Sequence, residues 1–179
     1  DRGRVADLAD AINRLQDDVK LCSQCYKTFD ANGNASTTLC ELCRNGKRNN
    51  QQVLIVEKEA DLENIERAKT YQGLYHVLGG TVSPLDSSAP AKLHLRELFD
   101  RIQKLLQEDP PAGGVEVILA TNPTTEGDGT ALYLERVLSP LGRQHTGFRI
   151  SRLGRGLTTG SELEYADDTT IVSAFENRK

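Results

Sequence analysis

The chain has 179 residues, 37% of them hydrophobic, and a formal net charge of -4 at pH 7. That length can bury one medium-sized core and carry a small appendage. No apolar run approaches the roughly 20 residues a membrane span needs, so a soluble chain without membrane contact is expected, and the mildly negative balance does not by itself announce a nucleic-acid binder.

The chain contains no methionine and starts at Asp1, already inside a helical pattern. A natural N-terminus upstream of Asp1 is therefore expected. Val5, Leu8, Ile12, Leu15 and Val19 recur at three- and four-residue steps, the apolar stripe of one helix running into Cys22. Cys22, Cys25, Cys40 and Cys43 follow, the only four cysteines, as two Cys-x-x-Cys pairs separated by fourteen residues. Each turn aims two thiolates at one ion, and two turns close a tetrahedral four-sulfur site; the spacing predicts a structural Zn2+ with no open position for water. Two disulfides would need an oxidising compartment, which nothing in the chain supports. Within the loop, Asp30, Asn32, Gly33 and Asn34 are turn residues. Tyr26 and Phe29 read as core of the small module rather than as stacking platforms for bases. Arg44, Lys47 and Arg48 form a basic cluster able to meet phosphates. A polar linker over 44–52 puts the first boundary near Asn49.

The pattern then changes. Val53 to Val56 is a continuous apolar run, as in a strand buried on both faces. A helix over 61–70 with Leu62, Ile65 and Ala68 inward, and a strand over 74–78, come next. A Ser- and Pro-rich loop over 83–91 leads to an amphipathic helix carrying Leu95, Leu98, Ile102, Leu105 and Leu106, stopped by Pro110 and Pro111. Residues 115–120 make a third strand and 126–138 a helix with Leu132, Leu134, Val137 and Leu138 available for packing. Phe148 and Ile150 lie on a fourth strand; a loop and short strand over 157–165 and a last helix or turn over 167–175 complete the chain. Strands alternating with helices predict an α/β fold with a mostly parallel sheet covered on both faces. From Arg136 to Ser161 there is no acidic residue, yet Arg136, Arg143, Arg149, Arg152 and Arg155 occur.

Ligands of open parallel sheets meet the carboxyl ends of the strands. One such end is Val56-Glu57-Lys58; another is Thr121-Asn122-Pro123-Thr124-Thr125-Glu126-Gly127-Asp128-Gly129. A strand ending in glutamate, then a strand ending in an acidic loop with Glu-Gly before a helix, resembles the Toprim domain of topoisomerases, primases and related nucleases. Catalytic Toprim members carry Asp-x-Asp in the second motif and hold Mg2+ with those aspartates and the first-strand glutamate. Here Asn122 and Thr124 stand in their place, which argues against phosphoryl transfer. An atypical Mg-dependent nuclease or topoisomerase-like enzyme built on Glu57, Glu126 and Asp128 is the alternative, and it wants aspartates at 122 and 124.

A helix, a four-cysteine knuckle and this Toprim pattern, together with Gly79-Gly80-Thr81-Val82-Ser83-Pro84-Leu85-Asp86 and the segment from Gly154 to Glu164, are similar to the RecR family of recombination mediators. The similarity covers essentially the whole chain; the family's helix-hairpin-helix domain is not in this sequence. It implies a non-enzymatic DNA-repair factor, cytoplasmic and nucleoid-associated. Such a factor forms a dimer or tetrameric ring, works with RecO-type and RecF-type partners, and helps load RecA onto single strands coated by single-strand-binding protein. It also implies a partner-docking surface at Glu57, Asn122, Glu126 and Asp128, and places the family's main DNA-binding surface in the absent domain. From the basic clusters themselves, weak sequence-independent contacts to single-stranded or gapped DNA are expected at Arg44, Lys47 and Arg48, and beyond them at Arg152 and Arg155. The expected division is 1–21, a helix left from a preceding domain; 22–49, the knuckle; 50–145, the Toprim-like domain; and 146–179, an extension used in assembly.

Other chemistries find no support. No Gly-x-Gly-x-x-Gly or phosphate-cradling Gly-x-x-x-x-Gly-Lys motif occurs. His76 reads as a packed strand residue, His94 and His145 stand alone, and Ser83, Ser87 and Ser88 have no base at triad spacing.

Overall fold

The computed structural model describes residues 2–31, 34, 36–82, 93–107, 113–160 and 162–178. The expected loop over 83–91, Asn32, Gly33, Ser161 and the helix-stopping prolines Pro110 and Pro111 lie outside them.

Helix α1 (Arg2–Asp18) is followed by a short antiparallel hairpin of β1 (Val19–Leu21) and β2 (Thr28–Asp30). The helical stripe thus ends before Val19, which pairs with Asp30 instead of closing the helix. A single turn, α2 (Glu41–Arg44), carries Cys43.

The main sheet contains β3 (Asn49–Val56), β4 (Gly73–Val77), β5 (Val115–Ala120) and β6 (Phe148–Arg152), all parallel, in the order β4-β3-β5-β6. Strand β3 begins inside the expected linker. Its side chains alternate: Val53 and Ile55 face one layer, Leu54 and Val56 the other. On the first face pack α4 (Leu95–Gln107), through Leu95, Leu98, Ile102 and Leu106, and α5 (Thr125–Gln144), through Ala131, Leu134, Leu138 and Leu141. On the second face α3 (Glu59–Ala68) inserts Leu62 among Leu54, Val56, Tyr75 and Val77. Both faces are covered, which is what an all-parallel sheet requires. Two packing expectations fail: Ala68 and Leu132 are exposed, one at the end of its helix, the other on the outer face of α5.

Helix α5 runs six residues past its predicted end and continues through Pro140. Proline cannot donate to the carbonyl four residues back, but Ser139 Oγ donates to Arg136 O at 3.1 Å and satisfies it. The tail has a 3-10 turn (Leu163–Tyr165) where a short strand was expected, then α6 (Asp168–Glu176), capped by Asp167, whose side chain accepts from Thr170 N at 2.8 Å.

Candidate functional site

Two sites grow from this frame. The first is the knuckle. Cys22, Cys25 and Cys40 are fully buried and Cys43 half-buried; all four are free thiols, and their Sγ atoms lie within 4.8 Å of one another. Cys25 and Cys40 sulfurs are 3.5 Å apart. A tetrahedron with Zn–S bonds of about 2.3 Å has edges of about 3.8 Å, so the donor set fits one tetrahedral metal. Protons shared among four close sulfurs are in conflict: hydrogen bonds from Cys25, Cys40 and Cys43 pull the Cys22 thiol far down, while contacts with Cys22, Cys25 and Cys40 push Cys43 far up. A metal that takes four thiolates resolves that conflict.

Tyr26, just after the first pair, adopts a left-handed φ of 63°, unusual for an aromatic residue. Its ring is clamped by stacking on His94, centroids 4.0 Å apart, and by an edge contact with His76. Phe29 is buried in the module. His76 is fully buried with Nε2 2.8 Å from His94 O, and burial drives its pKa down to about 3, so the ring is neutral.

Strand β4 is an edge of the sheet, and an edge exposes unpaired backbone groups. Here they are covered. Arg48 Nε donates to Gly73 O at 2.7 Å, Arg101 Nη1 to Tyr75 O at 2.6 Å, and Val77 N to Cys25 O at 2.8 Å. Arg48 also pairs with Glu66 and lies over the Tyr75 ring, leaving its side chain 6% exposed. The predicted phosphate contact at Arg48 is therefore turned inward, while Arg44 and Lys47 are exposed. No sequence pattern points to Arg101, which lies 26 and 77 residues from its partners Tyr75 and Gln24.

The second site lies where the chain leaves β3 for β4 on one side and returns to β5 on the other, the switch point of the sheet. Glu57 stands there, 3% exposed. Its Oε1 accepts from Asn122 N at 2.8 Å and its Oε2 from Asn122 Nδ2 at 2.6 Å. Both oxygens of the carboxylate are thus engaged by one residue. Thr124 caps α5, its Oγ1 accepting from Gly127 N at 3.1 Å. Gly127 is required sterically: a Cβ there would fall 2.0 Å from Asn122 O and 2.8 Å from Glu57 Oε1.

The remaining carboxylates face outward. Glu126 Oε2 accepts from Thr81 Oγ1 at 3.2 Å. Asp128 takes a two-pronged contact from Arg155, at 2.5 and 3.2 Å, with Arg152 Nη1 3.7 Å away; Arg152 Nε in turn donates to Glu135 at 2.8 Å. Arg155 hydrogen bonding holds the Asp128 carboxyl below the usual range. Predicted partner-binding and DNA-binding residues are here brought into one ion-pair cluster. Among the described residues, the four cysteines are the only group of three or more His, Cys, Asp or Glu side chains close enough to hold a metal.

Comparison with known proteins agrees with this geometry. The Toprim domain family matches residues 51–154, and the family described as RecR, C-terminal, matches 159–179. The recombination protein RecR of Cutibacterium acnes is 42% identical over 172 residues, covering 96% of this chain and 77% of that protein. RecR of Myxococcus xanthus is 38% identical over 174 residues, 97% of this chain and 79% of its own length; that of a Roseiflexus species is 42% identical, with 96% and 75% covered. With a Toprim sheet, a four-cysteine cluster and identities of this order along nearly its full length, the chain belongs to the RecR family of recombination proteins.

Proposed function

We propose that this chain is a non-enzymatic mediator of DNA recombination and repair that holds DNA and partner proteins without reacting with either. One observation carries the reading. Glu57, where a Toprim enzyme needs a metal-binding carboxylate, has both oxygens engaged by Asn122. Magnesium is held by hard, charged oxygens. The neighbouring positions offer an amide that donates to Glu57 and a hydroxyl that caps a helix. Glu126 and Asp128 serve Thr81 and Arg155. At the positions where a Toprim enzyme holds metal, Glu57 and Asn122 here latch the end of β3 to the loop that follows β5.

In this reading Glu57 and Asn122 hold the rim, while Glu126 and Asp128 present it to a basic face on RecO-type or RecF-type partners. The knuckle holds Zn2+ and fixes the edge of β4. Arg44 and Lys47 follow phosphates without reading sequence; Arg48 keeps its structural role, and Arg152 and Arg155 meet phosphate only on release from Glu135 and Asp128. Loading of RecA onto single strands coated by single-strand-binding protein is the step served. Assembly into a dimer or tetrameric ring is supported by two exposed apolar faces, Val5, Leu8, Ile12 and Leu15 on α1 and Leu163, Tyr165, Val172 and Phe175 in the tail. The working division is α1 over 1–21, knuckle over 22–49, Toprim domain over 50–145 and assembly segment over 146–179. A cytoplasmic, nucleoid-associated site of action suits such a protein; among the described residues no helix is long and apolar enough to cross a membrane.

The test is labelled gapped DNA incubated with the chain and Mg2+ or Mn2+. Intact DNA in a complex that weakens as salt rises is expected. Metal-dependent cleavage that disappears in Glu57→Ala would overturn the mediator reading in favour of an atypical Toprim enzyme.

A further inference from the structure

Arg101 is the least satisfied polar group described in the molecule. It projects from α4 toward the junction of knuckle and sheet, where Nη1 donates to Gln24 O at 2.9 Å and to Tyr75 O at 2.6 Å. Gln24 lies between Cys22 and Cys25 in the first metal-binding turn. Nε and Nη2 are buried and make no hydrogen bond among the described residues. A guanidinium has five N–H groups, so three of them are left unused. A cavity of about 520 Å3 opens beside this residue, between the knuckle and α4, with Glu97 and Asp100 on its wall. No ion pair joins Arg101 to either of them.

A buried cation without a counter-charge is strongly disfavoured. Arg101 Nη1 sits on the carbonyl of Gln24, inside the turn between Cys22 and Cys25, so the sulfur cluster is the neighbouring group able to carry a compensating charge. Four neutral thiols offer this cation almost nothing. Four thiolates around one Zn2+ carry a net charge of -2, which does.

We propose that Arg101 is a positioning residue for the metal: it compensates the charge of the tetrathiolate site from outside the ligand set and ties metal loading to the edge of the Toprim sheet. Binding of the metal supplies the anion that Arg101 lacks, and Arg101 in turn favours the loaded site over the empty one. Its bonds to Gln24 O and Tyr75 O carry that preference from the first Cys-x-x-Cys turn into β4, whose end leads through Leu78 to Gly79 N, a donor to Glu57 O at 3.0 Å.

The inference rests on the knuckle holding zinc, and the experiment separates the two. Zinc affinity is measured by competition with a chromogenic chelator for the parent, Arg101→Met, Arg101→Lys and Arg48→Met. A parent chain that binds no zinc ends the metal reading itself. If the parent binds, Arg101→Met is expected to lose about 10- to 100-fold in affinity, the range for groups that orient ligands from behind. Arg101→Lys keeps the charge and loses no more than about threefold, well short of that range. Arg48→Met removes a buried arginine at the same strand edge and leaves zinc affinity unchanged. Equal affinity in Arg101→Met and the parent overturns the proposal, as does a loss in Arg101→Lys as large as that in Arg101→Met. Should Arg101→Met not fold, Arg101→Lys decides alone: retained affinity supports charge compensation, and a tenfold loss with the charge still present overturns it.

Discussion

The knuckle and the sheet reach order by different means. Among the described residues, the knuckle buries three cysteines, Phe29 and Ala31, and the sheet region buries fourteen residues on one face and six on the other. One aromatic ring, an alanine and three cysteines offset little of the conformational entropy of a loop-rich segment of more than twenty residues, so the knuckle depends on its sulfurs and whatever ion they hold. The sheet depends on apolar area. Yet the two are not independent, because the knuckle closes the open edge of β4 through Cys25 O and through Arg101 on Gln24. A module with little core of its own thus serves as the edge cover of a module with plenty.

The largest expected effect tests that dependence at its source. Cys25→Ser removes one thiolate from the set, and structural zinc in small modules contributes about 10–16 kcal/mol of binding free energy at neutral pH. Hydrogen exchange should show residues 19–43 losing protection while β3 and β5 keep theirs. Loss of protection throughout β3 and β5 would mean that the sheet cannot stand with its edge uncovered, and the comparison would have to be redrawn as one cooperative unit.

Next comes the sheet. Leu62 is fully buried between α3 and the β3–β4 pair, and Leu62→Ala should cost about 2–5 kcal/mol by denaturant titration. Zinc affinity should stay as in the parent if the two regions rest on separate supports. Tyr26 and Leu42 of the knuckle pack against the same layer, so a parallel fall in zinc affinity would show that this contact, and not only the β4 edge, couples them.

A third change sharpens the contrast inside the switch point. Asn122→Asp replaces a donor by an acceptor beside a carboxylate that accepts from it at 2.6 Å. Loss of a hydrogen bond to a charged group, with two anions left in contact, should cost about 1.5–3 kcal/mol at pH 7. Millimolar Mg2+ should return part of that stability in the variant and none in the parent. Indifference of the variant to Mg2+ would show that the latch is held by the shape around Gly127 more than by the charge of Glu57.

What the sequence reveals follows the same divide. Apolar runs and 3.6-residue stripes report burial, so the apolar cores of β3, β5 and α4 are legible before any coordinates, while on α5 the stripe places Leu134 and Leu138 inward but misplaces Leu132. The cysteine spacing reports chemistry directly. The β1–β2 hairpin escapes because three-residue strands are too short to show alternation. Residues 157–165 read as a loop and short strand, whereas Leu163–Tyr165 forms a 3-10 turn. Charged residues mislead most. Arg48 looks like a phosphate contact in a basic cluster, but its partners Glu66, Gly73 and Tyr75 lie 18 to 27 residues away, and only the folded sheet brings them together. Glu57 and Asn122 are identified as a pair from strand ends, whereas the burial that turns them into a latch is a property of the packed helix α5.

The smallest expected change concerns the outer rim. The side chains of Asp128 and Arg155 are 41% and 34% exposed, so water screens their attraction and the pair is worth no more than about 1 kcal/mol. Asp128→Asn should therefore lower stability at pH 7 by at most about that amount. The pH dependence has a definite sign. Arg155 depresses the carboxyl pKa in the folded state, so the contribution is complete above the unfolded value of about 3.9 and fades as pH falls through the folded value. Parent and variant should differ in melting temperature at pH 7 and converge in acid. Binding should respond the other way. If a basic partner docks on Glu126 and Asp128, that partner must compete with Arg155 and Arg152 for the same carboxylate, and Asp128→Asn should weaken docking more than it weakens the fold. Docking that survives Asp128→Asn and fails in Glu126→Gln would move the recognised charge to Glu126, the carboxylate that accepts from Thr81.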